Sequence, residues 1–155
     1  MKFKKIIFVF FILTMLFSLT GCFLDKNAIS VNEFIDIVSK NNLSTTDIHD
    51  QMSQYKEINS AIIASSKDNW KIEFYVLDNK ENALKMYNTN KSIFEGLKGK
   101  TNIEKYLSLG NYSLYDLKTD YYYMHLCRVD NTLLYVKVDV KYENDVKKII
   151  DKLGY

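Results

Sequence analysis

The chain has 155 residues, 47% of them hydrophobic and 26% charged, with a formal net charge of +2, no proline and two cysteines. That length suffices for one domain with its own core and is short for a receptor that closes two lobes on a solute. Lys2, Lys4 and Lys5 lie in the opening segment; beyond residue 21 there are 18 basic against 19 acidic residues, net −1, so no basic stripe is left to bind nucleic acid.

After those lysines an apolar run extends from Ile6 to Leu19 and ends in small residues. A basic start, a short apolar stretch and a small-residue end make up a secretory signal peptide. The run is short of the roughly 20 residues that a bilayer span requires. Leu19-Thr20-Gly21-Cys22 resembles the lipobox of bacterial lipoproteins. The resemblance implies removal of a signal peptide 1–21, diacylglycerol on the sulfur of Cys22, often a further acyl chain such as palmitate on the new amine, and anchorage on the outer face of the cytoplasmic membrane. Two acyl chains suffice for stable anchoring. Two other readings fit the same residues: a secreted protein with an incidental cysteine, and an uncleaved anchor helix continuing through Phe23 and Leu24.

Residues 22–29 then form the lipidated cysteine and a short tether, and 30–155 a single domain. Seven tether residues reach about 25 Å at most, which keeps the domain close to the membrane. Ser30 and Glu33 form a capping box, and Phe34, Ile37 and Val38 lie on one face of a helix over 31–41. The stretch 43–57 supports two readings, a short helix capped by Thr46 or a partly extended segment. Ile58–Ser66 and Trp70–Asp78 are apolar or alternating, and Lys67-Asp68-Asn69 between them is turn chemistry, so they form a β-hairpin. A helix over about 80–98 follows, capped by Asn79 and ended by Gly99. Residues 100–110 read as a helical turn plus loop.

The last third is the richest in strands. Tyr112–Leu117, Tyr121–Val129 and Thr132–Val140 alternate or carry β-branched residues, and Asp130-Asn131 joins the last two at hairpin length. Tyr142–Leu153 is an amphipathic helix with Gly154 as its stop. The expected fold is α+β, in the order α-β-β-α-β-β-β-α: an antiparallel sheet with helices packed on one face. Each half reads as a helix followed by a small meander, which suggests two diverged α+β units. Trp70-Lys-Ile-Glu-Phe-Tyr75 through Ala83 and Tyr87, Arg128 to Val136, and the terminal Leu153-Gly154-Tyr155 resemble a group of small, uncharacterised lipoproteins of low-G+C Gram-positive bacteria. That resemblance implies location and fold and carries no activity.

The side chains point to no known catalysis. With Cys22 lipidated, Cys127 is the one remaining thiol and no internal disulfide can form. Tyr123, His125, Cys127 and Val129 share one face of a strand, and an imidazole beside a thiol is the start of a thiol enzyme or small envelope hydrolase. The orienting partner and oxyanion site that such an enzyme needs have no counterpart in the sequence. His49 and His125, the only histidines, lack zinc-ligand spacing, and the aspartates form no calcium loop. Glycine-rich phosphate loops are absent. We therefore expect no cofactor, no metal and no catalytic residue, and a non-catalytic binding or accessory role in the cell envelope. The surplus of tyrosines on the C-terminal strands, Tyr121, Tyr122, Tyr123 and Tyr135 above all, marks the face expected to meet an envelope protein or small ligand.

Overall fold

The computed structural model describes residues 25–155; the expected signal segment 1–21 and the expected lipid site Cys22 lie outside the described residues. Helix α1 (Val31–Lys40) starts at the capping box: Ser30 Oγ accepts from the Glu33 amide at 3.2 Å and Glu33 Oε2 accepts from the Ser30 amide at 2.7 Å. Strand β1 (Ser44–Asp47) and a single 3-10 turn (His49–Met52) occupy the stretch with two readings, so both kinds of structure occur there in sequence. Asp47 Oδ1 starts the turn by accepting from the His49 amide at 2.8 Å. The expected hairpin follows as β2 (Ile58–Ser65) and β3 (Lys71–Leu77), with Asn69 at φ +62° in its turn.

Helix α2 (Lys80–Glu95) is capped by Asn79, whose side chain accepts from the Asn82 amide, and ends at Gly96, ahead of the expected stop at Gly99. The next stretch corrects an expectation. Residues 100–110 contain a seven-residue strand, β4 (Ile103–Leu109), in place of a helical turn and loop. Strands β5 (Tyr112–Lys118), β6 (Tyr122–Val129) and β7 (Thr132–Asp139) and helix α3 (Glu143–Leu153) complete the chain. Gly154, at φ +74°, ends α3 in the left-handed conformation that glycine adopts without strain.

All seven strands form one antiparallel sheet in the order β1-β2-β3-β7-β6-β5-β4. The α+β class and the antiparallel sheet are as expected. The helices, however, cover both faces. Phe34 and Val38 of α1 and Val146, Ile149 and Ile150 of α3 share one core with Ile72, Phe74, Cys127, Leu134 and Val136. Ala83, Tyr87 and Phe94 of α2 share a second core with Tyr75, Leu77, Leu126 and Leu133.

The topology supplies the reason. α1-β1-β2-β3 and α2-β4-β5-β6 each run from a helix to an edge strand and then inward to β7. β3 and β6 are both antiparallel to β7 and so parallel to each other. The half-turn about β7 that exchanges the two units also exchanges the faces of the sheet, and it carries the second helix to the opposite side. Central strands are consequently buried on both faces: Met124, Leu126 and Cys127 of β6 are all fully buried.

Candidate interaction surface

The β6 residues singled out for chemistry are turned inward. Cys127 is fully buried, and burial pushes its thiol up to about 12, far from the thiolate that nucleophilic attack requires. His125 is buried too, and its Nδ1 bonds Asp116 Oδ1 at 2.7 Å directly across from it on β5. Tyr123 donates its hydroxyl to the same Asp116 oxygen at 3.3 Å. The histidine is therefore held by a carboxylate that belongs to a structural cluster, while its Nε2 is enclosed with no partner among the described residues. His49 lies in the 3-10 turn, its Nε2 at 3.1 Å from the Ile58 carbonyl. Among the described residues no three His, Cys, Asp or Glu side chains gather as a metal site requires.

The four tyrosines do not form one face. Tyr123 is buried under α3, with Lys147 Nζ 4.9 Å from its ring centre. Tyr135 points to the α2 side and packs on Phe94 with ring centres 5.1 Å apart. Tyr121 and Tyr122 are exposed, at the β5–β6 turn and the start of β6. Lys137 Nζ sits 4.8 Å from the Tyr122 ring centre.

The surface that sequence reasoning missed is β4. All seven of its residues are exposed. Ile103 is 66% accessible, Tyr106 59% and Leu109 50%, and Leu107 is exposed as well. Ile103, Lys105, Leu107 and Leu109 project on the side of α1 and α3; Glu104, Tyr106 and Ser108 project on the side of α2, by the alternation of a strand and the register with β5. On the α2 side, Glu104 accepts from the Tyr115 hydroxyl at 3.0 Å and pairs with Lys98 at 2.9 Å, and Lys91 lies over the Tyr106 ring. Ile93 and Leu97 are exposed on the same side. α2 lies across β6, β7, β3 and β5, which leaves the outer strand without a helix over it among the described residues. Ile103, Leu107 and Leu109 share one face, but the polar pair Glu104-Lys105 and the apolar pair Tyr106-Leu107 break the alternation that marks a strand.

The tether is docked beside this strand. Asn111, in the β4–β5 turn, accepts from the Lys26 amide at 3.2 Å and donates to the Lys26 carbonyl at 2.7 Å, as a paired strand would. Lys26 Nζ donates to the Gly154 carbonyl at 2.8 Å and lies 4.2 Å from the Tyr112 ring centre. Gly110 is at φ +53°, and a Cβ there would stand 3.3 Å from Asp25 Oδ1. Arg128, buried from below, donates to the carbonyls of Gly110 and Asp130 and so joins this turn to the β6–β7 turn. The chain is thereby held at Lys26, four residues after Cys22.

Among the grooves large enough for a small molecule is one of about 530 Å³ beside α2. Met52, Tyr55, Ile58, Leu77 and Met86 form its apolar wall between the 3-10 turn and α2, and Lys85 stands at its rim. No described helix is long and apolar enough to cross a membrane. In comparison with known proteins, no family model matches the chain, and neither a curated protein nor a solved structure is significantly similar to it.

Proposed function

We propose that this chain is a bacterial lipoprotein, held by acylated Cys22 on the outer face of the cytoplasmic membrane, and that it acts there as a non-catalytic binding module of the cell envelope. The binding face in this reading is the bare edge of β4. The observation that carries it is that a seven-residue strand exposes Ile103, Tyr106, Leu107 and Leu109 together with a row of backbone groups that face no neighbouring strand among the described residues. Proteins ordinarily cover, shorten or charge such an edge, and extended segments add to it by main-chain pairing. The lipobox supports the anchor, and the docking of Lys26 on Asn111 supports a fixed presentation. The four residues from Cys22 to the docked Lys26 span about 14 Å at most, so Lys26 on the β4–β5 turn would sit within that distance of the acylated cysteine. The thiol-enzyme reading draws no support from a Cys127 this buried.

Two measurements test the proposal. Cys22→Ala is expected to leave an unprocessed precursor or release the protein from the membrane fraction; normal processing with full membrane retention would sink the anchor. Tyr106→Pro removes an edge amide and is expected to abolish photo-crosslinking from position 107 in cells while leaving the fold intact. Unchanged crosslinking would remove β4 as the binding face.

A further inference from the structure

We propose that the β4 edge pairs with β4 of a second copy of this chain, antiparallel about Tyr106, so that two seven-stranded sheets join into one. This rests on the reading of β4 as the binding edge and names what occupies it.

The register follows from the backbone. β4 and β5 are joined by the two-residue turn Gly110-Asn111, with Leu109 opposite Tyr112. A two-residue turn closes on a hydrogen-bonded pair, and bonding alternates along an antiparallel ladder. Leu109, Leu107, Lys105 and Ile103 therefore direct their N–H and C=O groups to β5. Ser108, Tyr106 and Glu104 direct theirs outward. An antiparallel partner must place its own outward-facing residues opposite these three.

A second β4 does so in the one register that pairs all seven residues. Tyr106 then faces Tyr106 of the other copy, and Glu104 faces Ser108, all as hydrogen-bonded pairs. Between them Ile103 faces Leu109 and Lys105 faces Leu107. No like charges are opposed, which would be destabilising. Shifting the partner by two residues in one direction sets Lys105 against Lys105, and shifting it in the other leaves only five residues paired. Side chains also stay on matching faces: Ile103, Leu107 and Leu109 of the two copies make one apolar strip around the two Lys105 side chains, and the two Tyr106 rings meet on the α2 side, each under its Lys91. The axis is a two-fold perpendicular to the sheet, the isologous arrangement most homodimers use. With that axis normal to the membrane, both docked tethers stand at one height.

The experiment uses the full lipidated chain in native membranes, with single cysteines placed on β4 and mild oxidation. Facing residues in a hydrogen-bonded pair have Cα atoms about 5.5 Å apart, within the roughly 4.4–6.8 Å that a disulfide spans. Tyr106→Cys is expected to give a band at twice the monomer mass. Glu104→Cys alone is expected to give none above the wild-type background, because four residues, about 14 Å, separate it from its own copy. Glu104→Cys and Ser108→Cys produced together are expected to form the mixed dimer. Absence of the Tyr106→Cys dimer, equal dimer from all positions, or a bond to a different polypeptide would each overturn the proposal. Amide exchange on the unaltered chain gives an independent check, since the Tyr106 and Ser108 amides should lose protection on dilution in the membrane; protection that ignores dilution counts against pairing. The mass of the N-terminal peptide reads the anchor separately: an unmodified Cys22 with an intact Tyr106→Cys dimer would refute lipidation and leave the pairing standing.

Discussion

The two edges of the sheet solve the same physical problem differently. β1 has four residues, all polar, and its neighbour α1 contributes Phe34 and Val38 to the core beneath it. Ser44 Oγ further engages the Ser65 carbonyl on β2. Short length, polar side chains and a helix close by are the ordinary means by which an edge is protected from adding another strand. β4 has seven residues, four of them large and apolar, and among the described residues no helix lies above it. Its only charged residues are Glu104 and Lys105, and Glu104 is already paired with Lys98. One edge is closed and the other open, although both units of the chain build their edges in the same order.

This contrast is sharpest when each side is weakened in turn. On the closed side Phe34 is fully buried and stacks on Phe74 with ring centres 4.7 Å apart. Phe34→Ala removes that stack and leaves a cavity under α1, an expected loss of about 3–5 kcal/mol. Urea unfolding followed through Trp70, which belongs to the same core, measures it; a loss below about 1 kcal/mol would mean that α1 contributes little to the sheet.

A smaller effect is expected where the tether meets the open side. Asn111→Ala removes both hydrogen bonds to the Lys26 backbone, at about 0.5–1.5 kcal/mol for each bond lost. Much of that loss should remain local. The expected readout is faster amide exchange and proteolysis at residues 25–29 with little change at β6. Equal loosening of β6 would show that the tether supports the core itself.

The same contrast explains what could be read without coordinates. α1, α3, the β2–β3 hairpin and the C-terminal meander all bury something, and burial leaves a period of 3.6 or 2 in the residues. β4 buries nothing and β1 has no apolar residue to place, so each lacks that mark and exists because its neighbour supplies a ladder. Helices on both faces were missed for a related reason. Trp70, Ile72 and Phe74 read as one buried face, while Tyr75 and Leu77 on the other are equally buried. The local pattern cannot tell which tyrosines are exposed once both faces carry cores; Tyr123 and Tyr121, two residues apart, end up buried and bare. The partners of His125 and Lys26 are long-range as well. Asp116 reaches His125 only through the β5–β6 register, and Asn111 meets Lys26 across 85 residues.

The smallest effect on stability is the most informative about the open edge. Leu107→Lys places a charge on the α1 and α3 side of β4, at a residue 38% accessible that faces Leu114 across the ladder. Its backbone groups face β5, so that pairing is kept, and the side chain exchanges one partly exposed position for another. Surface changes of this kind lie within about 0.5 kcal/mol. Leu107 would also face Lys105 of the other copy, so in a paired edge the substitution opposes two lysines at each of two equivalent positions. Like charges set directly across a ladder are destabilising, and the apolar strip is broken on both sides of the axis. The urea midpoint should stay nearly fixed while the Tyr106→Cys dimer is lost from the membrane. A lower midpoint with the dimer retained would reverse the assignment and make Leu107 part of the chain's own core. Loss of both together would mean that the edge cannot fold unpaired and that β4 is stable only within the pair.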